Sequence, residues 1–62
     1  MPNIPDDQLE TLAEGSEVVL RHLTTALRAL KSGNVPSATG EIEAALSEAG
    51  KIRALSQAYR RS

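Results

Sequence analysis

Apolar residues recur along this chain at alternating spacings of three and four. Leu9, Leu12, Ser16, Val19, Leu23, Ala26 and Leu30 occupy the a and d positions of one heptad run, with Ser16 as its polar member. Beyond Gly33-Asn34-Val35-Pro36 the spacing resumes through Val35, Ala38, Ile42, Ala45, Ala49, Ile52, Ser56 and Tyr59. A second line, Ala13, Leu20 and Leu27, follows the first stripe at the e position, and Leu46 and Leu55 flank the second. This period predicts two amphipathic helices at about residues 5–32 and 36–60, behind a short arm of residues 1–4.

The ends of these helices carry their own signals. Pro5 suits a first turn, and Asp6 and Asp7 suit its positive end. With Pro5 as the cap, Ile4 is placed to staple onto Leu9; with Asp6 as the cap, it is not. Gly33 is a natural left-handed terminus for the first helix, while Asn34, Ser37 and Thr39 all qualify as caps for the second. Pro36 belongs in or just before a first turn. Glu14-Gly15-Ser16 is a possible break, dividing the first helix into residues 6–14 and 16–32.

Charge turns two helices into a hairpin. Residues 1–20 hold five acids and no base, 21–32 three bases, 33–50 three acids, and 51–62 four bases. Acid early and base late matches the helix macrodipole, and it occurs once on each side of the break. Folding back at Gly33 sets opposite blocks side by side. The expected fold is therefore all-α, an antiparallel two-helix hairpin occupying residues 5–62. Residues equidistant from the turn then meet, which brings Gly15 and Ser16 level with Ala49 and Gly50 as the expected closest crossing.

Size limits what such a hairpin achieves alone. The chain has 62 residues, no cysteine and one aromatic residue, Tyr59. A chain near this length buries only about 60% of its unfolded surface, and disulfides, metals or oligomerisation usually supply the deficit. One partner helix leaves Leu20, Leu27, Leu46 and Leu55 partly in water. The expectation is a homodimer, a four-helix bundle in which these leucines and Tyr59 form the interface. Docking on another protein is the other way to cover them.

No sequence feature points to catalysis. His22, the one histidine, has no carboxylate or cysteine at ligand spacing and reads as a solvated flank beside the core. The carboxylates Asp6, Asp7, Glu10, Glu41 and Glu43 sit at helix starts and outward faces, where capping and ion pairing explain them. There is no Gly-x-Ser-x-Gly elbow and no phosphate-binding glycine loop. The expectations are no enzymatic activity, no cofactor, no metal and no small-molecule substrate. No secretory signal or membrane-spanning run is seen, and the lack of cysteine fits a reducing, cytoplasmic setting.

Arg21, Arg28 and Lys31 form the best basic strip, the basis of an alternative reading as an RNA- or DNA-binding bundle. Glu14 and Glu17 continue that surface, Glu17–Arg21 is a favourable i,i+4 pair, and no aromatic is present there to stack on a base. The spacing of Ala26, Gly33, Ala38, Ala45 and Leu46 resembles that of small residues in a tetratricopeptide helical hairpin. The likeness covers about 21 residues, without that motif's large aromatics and closing proline. It implies a hairpin and peptide or protein binding. The favoured expectation is a small protein-binding regulator, adaptor or cochaperone acting through its aliphatic face; a structural subunit of a larger helical assembly is a third reading.

Overall fold

The structure is a computed structural model in which residues 5–61 are described, Tyr59, Arg60 and Arg61 by their backbone only. The expected roles of Ile4 as a staple and of the Tyr59 side chain lie outside the described residues. Two helices, α1 (Asp6–Lys31) and α2 (Val35–Arg61), pack against each other as a hairpin about 47 Å long. Helix α1 runs unbroken through Glu14-Gly15-Ser16, so that possible break is not used.

The turn is built from three residues. Gly33 adopts φ of 82°, the left-handed conformation that a side chain would penalise. Its N–H donates to the Leu30 carbonyl at 3.0 Å, and the Asn34 N–H donates to Ala29 at 2.8 Å. These two bonds satisfy carbonyls that the end of α1 would otherwise leave open, the Schellman arrangement. Asn34 then starts α2: its backbone carbonyl accepts from the Ala38 N–H, and its Oδ1 accepts from the Ser37 N–H at 3.2 Å. Of the three eligible caps, Asn34 is the one in use. Pro36 occupies the first turn of α2, where its missing N–H costs nothing. At the other end Pro5 caps α1 through its carbonyl alone, which accepts from the N–H groups of Gln8 and Leu9.

The line of contact between the helices is rotated from the leucine stripe. On α1 the buried or half-buried residues include Leu12, Gly15, Val19, His22, Ala26 and Ala29. This is a strict 3-4 series, but it takes Gly15, His22 and Ala29 in place of Ser16, Leu23 and Leu30. On α2 the corresponding series is Ala38, Glu41, Ala45, Glu48, Ile52 and Leu55. The fully buried apolar residues are Ala26, Ala38 and Ala45, each at most 3% exposed. Small side chains let the backbones approach, so the seam follows glycine and alanine and pushes the leucines round to its edge.

Gly15 marks a close approach of the two helices. A Cβ at that position would stand 2.8 Å from both Cγ1 and Cδ1 of Ile52. The expected meeting of small residues is thus only half realised. Gly15 is at the crossing, while Gly50 is exposed with nothing within 4 Å of where its Cβ would be.

Candidate interaction face

Each helix carries its large aliphatic residues one position after its seam residues. On α1 these positions hold Leu20, Leu23, Leu27 and Leu30; on α2 they hold Ile42 and Leu46, with Val35 at the start. One residue turns an α-helix by about 100°. Because α1 and α2 run in opposite directions, the same rotation brings both flanks to one broad side of the hairpin. The side chains there are wet: Leu20 is 65% exposed, Leu27 52% and Leu46 68%. Leu9, Leu23, Leu30 and Val35 are exposed as well, and Ile42 is just into that range.

This face has two unlike halves. Near the turn, Leu20 to Leu30 and Ile42 to Leu46 make an apolar ridge. Toward the open end the same flank positions carry Ser16, Ala49 and Ser56, and the surface sinks into a shallow groove of about 330 Å³. Val19, Ile52 and the stem of Arg53 complete its lining. The hydroxyls of Ser16 and Ser56 donate to the carbonyls of Leu12 and Ile52, four residues back, so they are engaged within their own helices.

Leu55, expected on the same interface, is instead half-buried at the far end of the seam. Val18 is half-buried as well. The seam also has a polar part. His22 Nδ1 and Glu41 Oε1 lie 3.1 Å apart across the two helices, both about a quarter to a third exposed. His22 is therefore a cross-helix partner rather than a solvated flank. The pair is a hydrogen bond with neutral imidazole and an ion pair when the ring is protonated. One turn pair, Glu48–Lys51 at 3.8 Å, lies further along α2.

Arg21 and Arg28 are exposed on the outer side of α1, away from the aliphatic face, with Lys31 nearby. The expected Glu17–Arg21 bridge does not close to ion-pair distance. Among the described residues, no three metal-ligating side chains come together, and no helix is long and apolar enough to cross a membrane. What the molecule presents is apolar contact area with a raised and a recessed end, bordered by charge.

Sequence reasoning missed that Leu23, Leu30 and Ile42 belong to this face. The signal was present in the glycine and alanine positions, which determine where two helices can approach most closely. No protein-family model, no curated protein and no solved structure matches this chain.

Proposed function

We propose that the hairpin is a small protein-binding regulator, adaptor or cochaperone that works through the face of Leu20, Leu23, Leu27, Ile42 and Leu46. One observation carries this reading: most of the large aliphatic side chains lie in solvent, while the buried core is alanine. Burial of each leucine or isoleucine is worth about 1.5–3 kcal/mol, so covering this face is a major part of the stabilisation open to the chain. Contiguous apolar surface of this kind marks an interaction site. A single amphipathic helix fits the geometry, lying along the valley between α1 and α2 with its own apolar stripe inward. In the absence of such a partner, the chain self-associates as a dimeric four-helix bundle.

The test combines sedimentation from roughly 1 to 100 µM with affinity capture, on native chain and two double variants. Leu20→Asp with Leu27→Asp abolishes both self-association and capture. Arg21→Glu with Arg28→Glu leaves both intact. Capture that survives the leucine changes, but vanishes with the arginines and falls steeply as salt rises, favours the nucleic-acid alternative instead.

A further inference from the structure

We infer that the two helices have a second packing, reached by turning each about its own axis by roughly 50°, which draws Leu23, Leu30 and Ile42 into the seam and so controls how much of the aliphatic face is presented. The use of this rotation as a control rests on the reading of the face as an interaction surface; the rotation itself rests on packing alone. Its basis is that the chain carries two complete 3-4 series with one set of positions in common. Leu12, Val19 and Ala26 of α1, and Ala38, Ala45 and Ile52 of α2, belong to both. In the structure Gly15, His22 and Ala29 stand beside the first set, and Glu41, Glu48 and Leu55 beside the second. In the leucine stripe the next residue along takes each of those places: Ser16, Leu23 and Leu30 in α1, Ile42, Ala49 and Ser56 in α2.

One residue is 100° of helix, and half of each series is shared, so the centre line of the seam moves by about half that angle. Because α1 and α2 run in opposite directions, the same one-residue step turns them in opposite senses, like meshed gears. The shared positions stay at the seam in both packings, and the residues that flank them change places.

Each packing gains what the other gives up. The observed one has the close approach of Gly15 to Ile52 and the contact of His22 Nδ1 with Glu41 Oε1 across the helices at 3.1 Å. It leaves Leu23, Leu30 and Ile42 exposed. The turned one covers those three side chains, returns His22, Glu41 and Glu48 to water, and loses the close approach at Gly15. Apolar burial is thus set against small-residue packing and a partly exposed polar contact. Packed surfaces of this kind move between discrete arrangements rather than deform continuously. His22–Glu41 holds the presenting form, and anything that binds the exposed leucines selects that form as well.

The test sets like charges across the seam. In His22→Lys with Glu41→Lys, two ammonium groups face each other in the observed packing and reach water in the turned one. Gly15→Leu makes the same demand by shape: its side chain has no room against Ile52 until position 15 turns outward. Methyl relaxation by a soluble gadolinium chelate reads burial directly, at a concentration where sedimentation shows monomer. The enhancement at Leu23, Leu30 and Ile42 is expected to fall at least about twofold from the native chain, with helix content retained. Such protection in either variant supports the inference. Unchanged or greater exposure, or loss of helix, in both variants overturns it. The free chain alone decides this outcome, whereas the interaction reading is decided by capture with Leu20→Asp/Leu27→Asp, so either can fail without the other.

Discussion

Along the seam where α1 meets α2, the buried side chains are glycine and alanine; one position further round each helix they are leucine and isoleucine, and they are wet. The two strips run the same length and differ by a rotation of about 100°. The seam achieves close backbone approach at the expense of buried apolar volume. The flank holds most of the volume that could be buried, and none of the described residues covers it. In this hairpin, shape specificity and hydrophobic driving force reside on different surfaces. Folding is therefore expected to depend on whatever covers the second one.

The sharpest way to break this division is to charge the flank. Leu20→Asp with Leu27→Asp puts charge in the middle of that strip and, under the proposed self-association, is expected to weaken it more than a hundredfold, measured by sedimentation equilibrium. Helix content at micromolar concentration should fall with it, because the isolated hairpin has so small a core. Overfilling the seam tests the other strip. Ala45→Leu places a large side chain where residue 45 is 3% exposed, and should cost about 1–3 kcal/mol in urea unfolding at fixed protein concentration.

The glycines give a finer contrast. Gly15→Ala gains helix propensity but drives a methyl into Ile52, and the net expectation is a loss of about 1 kcal/mol. Gly50→Ala meets open space at an ordinary helical position and should raise stability by about 0.5–1 kcal/mol. Thermal unfolding of the two variants side by side gives shifts of opposite sign if the seam runs where described. The smallest effect belongs to the His22–Glu41 pair. Its partial exposure limits the coupling in a double-mutant cycle to below about 1 kcal/mol.

Much of the architecture follows from residues in plain view. The period of Leu9 to Leu30, the Gly33-Asn34 stop and the repeated acid-to-base order together require two antiparallel helices. The rotational phase of the seam is harder to read. Leucine positions identify the apolar side of a helix, yet Gly15, Ala26, Ala38 and Ala45 determine which line along that side permits contact. Treating the leucines as the seam moved Leu23, Leu30 and Ile42 inside and left His22 out. The His22–Glu41 pairing joins residues from separate helices. It becomes visible only once the turn and the phase are both known. Exposure of Leu20, Leu27 and Leu46 followed from counting how many faces one partner helix can cover.

The bend at Gly33 has a consequence for how private this pairing is. Both helices are continuous to within three residues of each other, and only one left-handed residue with a shared Asn34 cap separates them. Straightened there, the chain would be a single rod of roughly 80 Å. Two such rods could reproduce every contact of the seam between molecules instead of within one, the route by which domain-swapped dimers arise. The three-residue turn is thus the hinge on which pairing within one chain, rather than between two, depends.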